Sequence, residues 1–432
     1  MTTDRLTELF EETSADVTPP AFAATAWATG RRVRRRRQVL ATVAAFAAVV
    51  AVTVPLRDRG GDDIRPAPPA PAATPTPSPA APGVNGSPMD PGRTSLAPLP
   101  AVDVMPPNPV VRSLAPLPAD FTVPGDVPKL SGHPVDRAVA VVQERDPDSA
   151  DQSMRPLHVL DAAGQWVRID VGDLVRTHDG GGNEADPLRR TSLSPDGRRV
   201  AVPQPEALVV IDLPAAKAHR IPVPGLNEQV MWSGDGIVLV GQGSAGVVRV
   251  DWAAGTVTQE PAAMSAWHGG GSPVASGDIA ELIVADGDRR VRVWRPGDAR
   301  PASTVAVDFG LVKPLGYGVS EWYGPAMPDS AGRVAAAAWG DHAPTDGSPQ
   351  SYGGVQMLTV VRTTSGLVER LLDLGMDRWK SCCGVLDWID GQTLLAQTDR
   401  EGLITWHVRT GEITRVTTGP VRATVSIRIG RV

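Results

Sequence analysis

Four short segments in the second half of the sequence combine aromatic side chains with acidic, basic or imidazole groups. Flat amphipathic rings anchor sugars, peptides and protein surfaces at low cost in conformational entropy, and charged groups add directional hydrogen bonds. We therefore predict a ligand- or partner-binding cluster made of Trp267, His268, Glu321, Trp322, Tyr323, Asp341, His342, Arg378 and Trp379. The alternative is that most of these tryptophans pack inside the fold, where large side chains fill the space between layers.

Catalytic and metal-binding motifs are not recognisable in this sequence. The seven histidines are scattered, without the H-x-x-x-H spacing or the pairing with cysteine that zinc sites show. Acidic stretches at residues 179–186 and 286–288 depart from the spacing of calcium-binding loops, which favours solvated turns. The pattern G-x-G-x-x-G at residues 241–246 precedes a strand, whereas a dinucleotide site requires a helix there. We therefore assign no catalytic residue and predict no metal or cofactor.

The two cysteines of the chain, Cys382 and Cys383, are adjacent. A framework of several disulfides is therefore excluded. Adjacent cysteines in an oxidising compartment can close a strained ring, which is more easily reduced than a relaxed disulfide. The sequence is compatible with such a vicinal disulfide and with two thiols that are reduced or buried separately.

An apolar stretch near the N-terminus follows a run of arginines. Residues 38–56 carry no charge and are long enough for a transmembrane helix, which rises about 1.5 Å per residue across a hydrocarbon core of about 30 Å. The positive-inside rule places the preceding residues 1–37 in the cytoplasm as a short tail. The arginines that set this orientation are Arg31, Arg32, Arg34, Arg35, Arg36 and Arg37. We predict a single-pass anchor in the cell membrane, with a cleaved signal peptide as the alternative.

Residues 57–125 contain 18 of the 42 prolines of the chain. Proline lacks a backbone donor and favours extended polyproline II, so this composition predicts a disordered linker between the membrane and a folded domain at residues 126–432. The sequence S-L-A-P-L-P-A occurs twice in this linker, at residues 95–101 and 113–119, which indicates a low-complexity duplication.

Strand and turn patterns repeat from residue 126 to the end of the sequence. The clearest unit is residues 191–213, where the turn formed by residues 194–197 (S-P-D-G) lies between short apolar runs that suit strands buried on both faces. One such unit cannot bury its faces alone, so we predict an all-β, six-bladed β-propeller, with a degenerate seventh blade as the alternative. The terminal run at residues 421–429 is expected to pair with the first blade and close the ring. Six strand–turn–strand hairpins fit the sequence, at residues 157–170, 208–223, 247–259, 291–307, 358–374 and 404–417.

The S-P-D-G turn before a strand, and third-strand sequences such as V-R-V-D-W (residues 248–252) and V-R-V-W (residues 291–294), resemble those of WD-repeat-like and TolB-like propellers. An arginine-rich anchor, a proline-rich stalk and a propeller also look like a recurrent arrangement of actinobacterial membrane proteins. The resemblance implies a propeller over roughly the last 300 residues. It implies no activity, since one fold hosts many functions.

Three functions are compatible with this organisation. The first is a non-enzymatic binding, sensing or protein-interaction module that is displayed outside the cytoplasm and recognises a protein, peptide or carbohydrate. The second is an extracellular hydrolase or lactonase-like enzyme with a site at the mouth of the propeller channel, and the third is a structural scaffold of an envelope complex. The net charge of −6 does not favour a nucleic-acid partner.

Overall fold

The computed structural model describes residues 101–145, 153–178, 182–233, 236–261, 278–285, 288–343, 352–375 and 383–429. These residues belong to one compact unit, Arg93–Val432. The predicted tail, the predicted transmembrane segment and the linker up to residue 100 lie outside the described residues. No helix within the described ranges is both long enough and apolar enough to cross a membrane.

Strands make up almost all of the regular structure in the described residues. In the first half of the domain they are β1 (Val102–Val104), β2 (Val110–Val111), β3 (Ala138–Glu144), β4 (Leu157–Asp161), β5 (Trp166–Arg168), β6 (Thr177–His178), β7 (Glu184–Ala185), β8 (Arg199–Gln204), β9 (Ala207–Asp212), β10 (Lys217–Pro222), β11 (Gln229–Trp232), β12 (Ile237–Gly241), β13 (Val247–Asp251) and β14 (Thr256–Glu260). In the second half they are β15 (Ile279–Ala285), β16 (Asp288–Trp294), β17 (Ser303–Ala306), β18 (Tyr317–Pro328), β19 (Arg333–His342), β20 (Tyr352–Arg362), β21 (Val368–Asp373), β22 (Gly384–Trp388), β23 (Thr393–Thr398), β24 (Gly402–His407), β25 (Glu412–Arg415) and β26 (Ala423–Ile427).

Six antiparallel sheets follow one another along the chain as six blades. Blade 1 contains β26, β3, β4 and β5; blade 2 contains β8 to β10; blade 3 contains β11 to β14; blade 4 contains β15 to β17; blade 5 contains β18 to β21; and blade 6 contains β22 to β25. In blade 2 the segment around Leu193 occupies the inner edge and pairs with Val200. All six predicted hairpins are present as strand pairs. The six-bladed all-β propeller is therefore confirmed.

The apolar runs of the sequence are explained by packing between blades. Successive side chains of a strand point to opposite faces of its sheet, and each blade lies between two others. In β9, for example, Val209 and Ile211 pack against blade 1, whereas Leu208 and Val210 pack against blade 3. Six hydrophobic clusters result in the described residues, one at each junction between neighbouring blades. Because blade 6 also packs against blade 1, the six blades form a closed ring.

The two ends of the domain meet in blade 1, as the sequence predicts. Strand β26 pairs antiparallel with β3, so that Val425 lies opposite Val142 and Ile427 lies opposite Ala140. Val425 and Ile427 are fully buried in the junction between blades 6 and 1. The C-terminal strand therefore removes the free sheet edge that would otherwise be left at the inner side of blade 1.

Residues 101–130, here called the belt, run along the outer edges of three blades. Strand β1 pairs parallel with β21 of blade 5, β2 pairs parallel with β25 of blade 6, and Lys129 bridges to Arg168 of blade 1. Leu117 and Phe121 are buried in the junction between blades 6 and 1. The folded domain therefore includes residues 101–125, which the sequence analysis assigned to the linker. Prolines remove their own backbone donors, but the valines between them still pair with the exposed edges.

Candidate functional site

The nine residues of the predicted binding cluster fall into two groups. Trp267, His268, Arg378 and Trp379 lie outside the described residues, so their part in a site stays a prediction. Glu321, Trp322, Tyr323, Asp341 and His342 lie in blade 5. All five residues belong to the long paired strands β18 and β19. The alternation of a strand therefore sends them to different faces of the sheet.

Trp322 is a core residue. Its side chain is 1 % exposed, lies in the junction between blades 4 and 5, and stacks on Phe309 with ring centroids 6.4 Å apart. The indole Nε1 donates a hydrogen bond of 2.9 Å to Thr359 Oγ1. The prediction that Trp322 contacts a ligand is therefore wrong, because the apolar ring is consumed by packing between blades.

Glu321 and Tyr323 lie on the opposite face of blade 5 from Trp322. The indole Nε1 of Trp339 donates to Glu321 Oε2 over 3.1 Å, and the rings of Trp339 and Tyr323 are tilted at 5.6 Å. Tyr323 donates its hydroxyl hydrogen to Gln356 Oε1. Burial raises the pKa of the Tyr323 phenol well above its usual value, which keeps the group neutral. Glu321 and Tyr323 thus share one face of blade 5, and their part in a binding site stays a prediction.

Asp341 and His342 are the last two residues of β19. The imidazole of His342 stacks on Tyr317 with centroids 4.0 Å apart and nearly parallel planes. Tyr317 in turn donates a hydrogen bond of 2.8 Å to Asp373 Oδ2. Asp341 is exposed. His342 thus has a packing role in this structure, and a binding role for either residue remains a prediction.

Cys383 directly precedes β22, the inner strand of blade 6. Its side chain is 1 % exposed and it is disulfide-bonded. Cys382 lies outside the described residues, so the vicinal pairing remains a prediction. Within the described ranges, no three His, Cys, Asp or Glu side chains lie together as a metal site would require.

The connections at one end of the channel bring together charged residues that the sequence did not single out. We call Arg145, Arg189, Arg190 and Asp399 the arginine cluster. Arg145 follows β3, Arg189 and Arg190 precede the inner segment of blade 2, and Asp399 follows β23. These positions are connections from an outer to an inner strand or from the second to the third strand, and such connections share one end of a propeller. The structure thus joins blades 1, 2 and 6 at this end.

Arg190 reaches far from its own blade. A β-carbon built on Gly384 would lie 2.5 Å from Arg190 Cζ, and one built on Gly324 would lie 3.4 Å from its Nη1. Gly384 and Gly324 are on the inner strands of blades 6 and 5, and blade 5 lies across the closed ring from blade 2. The side chain therefore extends into the centre of the ring, where these two glycines leave room for it. Gly324 also has a φ of 71°, which only glycine adopts readily.

The main chain at Arg190 is held firmly. Ser426 of β26 donates its hydroxyl hydrogen to the Arg190 carbonyl over 2.8 Å and accepts from the Leu193 amide over 2.9 Å. Ser426 is fully buried. The same side chain that closes the ring therefore also fixes the backbone from which Arg190 extends.

The two neighbouring arginines differ in their partners. Arg189 donates to the Glu228 carbonyl over 2.5 Å, to Thr177 Oγ1 over 2.9 Å and to further backbone carbonyls. Among the described residues, the guanidinium of Arg190 makes no hydrogen bond or ion pair, and neither do the side chains of Arg145 and Asp399. Arg189 is thus a structural support, whereas Arg190 has free donors.

Burial and like charge act together on the arginine cluster. Desolvation, followed by repulsion from Arg145, lowers the pKa of Arg189 to about 10, against the attraction of Glu228 and Asp186. Desolvation followed by repulsion from Arg145 also lowers the pKa of Arg190. Desolvation raises the pKa of Asp399 although both Arg190 and Arg145 oppose this shift. The guanidinium groups therefore lie close enough to repel one another at a partly dehydrated site.

Local sequence contains a weak signal for this site. The pair Arg189-Arg190 directly precedes the turn unit at residues 191–213, in a connection that lacks apolar alternation. A pair of charged residues at such a position ordinarily lies in a solvated loop. Because Gly384 is far away in sequence, local sequence does not reveal that Arg190 contacts it. Only the closed ring brings these residues together.

The fold defines the protein as a six-bladed β-propeller with a charged channel end. No protein-family model matches the chain, and no curated protein sequence matches it. Among solved structures it is similar to TolB from Acinetobacter baumannii, with 14 % identity, a TM-score of 0.40, and coverage of 69 % of this chain and 68 % of TolB. It is also similar to U3-55K, with 12 % identity, a TM-score of 0.37, and coverage of 57 % of this chain and 66 % of U3-55K. A third similar structure is Kuenenia stuttgartiensis hydrazine synthase, with 13 % identity, a TM-score of 0.37, and coverage of 66 % of this chain and 80 % of that chain. The assignment of blades rests on the strand pairing within this chain.

Proposed function

We propose that this protein is a single-pass membrane protein whose propeller lies outside the cytoplasm and acts as a non-enzymatic binding module. The ligand enters at the channel end that carries the arginine cluster. The observation that carries this proposal is the guanidinium of Arg190, which extends into the ring on a fixed backbone without a protein partner among the described residues. Unpaired donors that are already held in position favour ligand binding, because the entropy cost of ordering them is not added to the cost of binding.

The neighbouring aromatic side chains support a binding role. Trp339 and Tyr323 form a partly exposed aromatic pair on the inner strands of blade 5, and Tyr323 is close enough to Arg190 to act on its charge. An aromatic pair beside a guanidinium offers both apolar contact and directional hydrogen bonds. This combination suits a ligand that has a flat or aliphatic body and a polar group.

The membrane part of the proposal is tested by reporter fusions to the full chain. Alkaline phosphatase fused after residue 432 should be active in a bacterial host, and a fluorescent protein that folds only in the cytoplasm should stay dark at the same position. The reverse should hold for fusions after residue 30. Phosphatase activity in the soluble extracellular fraction would instead indicate a cleaved signal peptide, and a fluorescent C-terminal fusion would refute the topology.

The binding part is tested with a panel of short peptides and oligosaccharides against the purified full chain. We expect saturable binding of at least one member, weakened at least tenfold by Arg190→Ala. Arg220→Ala is the matched control, since Arg220 is exposed on the outer strand of the same blade. Turnover of a panel member, or binding that both variants leave unchanged, would contradict a binding module at this channel end.

A further inference from the structure

The donors of Arg190 have a defined geometry. A guanidinium presents its N–H groups in a rigid planar fork that matches the two oxygens of a carboxylate or two oxygens of a phosphate. The Cζ and Nη1 atoms lie against the backbone of Gly384, so this fork is limited in how it can turn. One face is covered by protein, and the remaining donors are available to a ligand in the channel.

Among the described residues, no carboxylate forms a hydrogen bond or an ion pair with the fork of Arg190. Arg145 is exposed at the rim and repels both Arg189 and Arg190. Asp399 is the nearby carboxylate, but it is exposed and hydrogen-bonds to none of these arginines within the described residues. An anionic group placed between Arg145 and Arg190 would relieve the repulsion and would regain the solvation that the guanidinium loses in the channel.

We propose that the channel end recognises an anionic group, a carboxylate or a phosphate, through Arg190 with Arg145 at the rim. This inference rests on the proposed binding function and specifies its ligand class. Arg190 contacts the anion in bidentate fashion, and Arg145 adds charge from the opening. Arg189, whose donors are used by backbone carbonyls, holds the connection in place.

The test uses matched small probes on the purified full chain. N-acetyl-alanyl-alanine carries a free carboxylate, and its C-terminal amide has the same shape without the charge. Inorganic phosphate forms the second arm and distinguishes a phosphate ligand from a carboxylate ligand. Dissociation constants from NMR titration should favour the free acid over the amide by at least tenfold, or phosphate should bind saturably, and the affinity should fall as salt rises.

Two variants assign the binding to Arg190. Arg190→Gln removes the charge while keeping a polar side chain, and we expect it to lower the affinity for the anionic probe at least tenfold. Arg220→Gln should leave that affinity unchanged. Arg190→Lys should restore only part of the binding, since a point charge lacks the fork.

The outcomes separate this inference from the proposed function. Equal binding of acid and amide, or anion binding that survives Arg190→Gln, overturns the inference. If a neutral oligosaccharide binds and Arg190→Ala weakens it, the binding function stands while the anionic ligand class falls. If no probe and no panel member binds, both fall.

Discussion

The guanidinium of Arg190 lies so close to the backbone of Gly384 that a β-carbon on residue 384 would come within 2.5 Å of its Cζ atom. The two residues are separated by most of the propeller in sequence, and their contact lies at the centre of the ring. The absence of a side chain at residue 384 therefore determines where the charge of Arg190 is held.

Gly384→Ala should displace Arg190 without unfolding the propeller. The new methyl group meets the far end of a flexible side chain, so the guanidinium can move aside. We expect the affinity for the anionic probe to fall about tenfold. The free energy of unfolding should change by less than about 1 kcal/mol, because only the end of the Arg190 side chain has to move. Gly318→Ala is the control, because a β-carbon there meets nothing within 4 Å. Unchanged affinity in Gly384→Ala would show that the position of Arg190 is not used in binding.

Ser426→Ala should loosen both the closure of the ring and the backbone of Arg190. The substitution leaves the Leu193 amide and the Arg190 carbonyl without their hydrogen bonds in a buried place. A buried group that loses its partner costs about 1–3 kcal/mol, which urea unfolding would measure. Thr424→Ala on the same strand should have a smaller effect, since its side chain is partly exposed. Equal stability of the two variants would argue against a closing role for Ser426.

Asp103→Ala should destabilise the domain although residue 103 lies in a proline-rich segment. Asp103 pairs with Arg370 of blade 5 at 2.5 Å and accepts from Trp406 Nε1 of blade 6 at 2.9 Å, and both charged side chains are 10 % exposed. Removing one partner of a nearly buried ion pair costs about 3–5 kcal/mol. Denaturant unfolding should show this loss, whereas Asp120→Ala, at an exposed turn of the belt, should stay within about 0.5 kcal/mol.

A shortened chain tests the belt as a whole. A chain that begins at residue 126 should unfold at lower denaturant concentration than one that begins at residue 93, because it lacks the buried side chains of Leu117 and Phe121. Each fully buried side chain of this size contributes about 1.5–3 kcal/mol. Equal midpoints would mean that the belt adds no stability.

Acidification should weaken the fold through His158. Desolvation, followed by repulsion from Arg168, lowers the pKa of this buried imidazole below the value of 6.5 that it has when unfolded. The unfolded state then binds the proton more readily, so stability is complete above about pH 6.5 and falls as the pH drops below it. For one proton the slope is at most about 1.4 kcal/mol per pH unit.

His158→Leu should remove this part of the pH dependence between about pH 5 and 7. The Nδ1 atom has no hydrogen-bond partner among the described residues, so an apolar side chain leaves no donor or acceptor unmatched at that atom. Unfolding free energies measured over this range are the readout, and His133→Gln, at an exposed position, is the control. A slope that persists in His158→Leu would assign the effect to other groups.

Local sequence determined the repeating unit of this protein. Turn residues such as Pro195, Asp196 and Gly197 fix where strands reverse, and runs such as residues 208–213 are apolar on both faces because each blade packs on two neighbours. The sequence also identified the closing strand, since an unpaired apolar run must find an edge. These features depend on nearest neighbours in the chain, which is why the order of hairpins and the number of blades could be predicted.

Only the tertiary structure decided which side chains are available to a ligand. Trp322 and Tyr323 are adjacent, yet Trp322 packs between blades 4 and 5 and Tyr323 lies on the opposite face, against the junction between blades 5 and 6. The face that each residue occupies is set by strand register. The belt could not be distinguished from a flexible linker, since its valines become strands only beside edges that other residues supply. Arg190 and Gly384 meet only because six blades close into a ring, and closure depends on the sum of all inter-blade packing rather than on any local pattern.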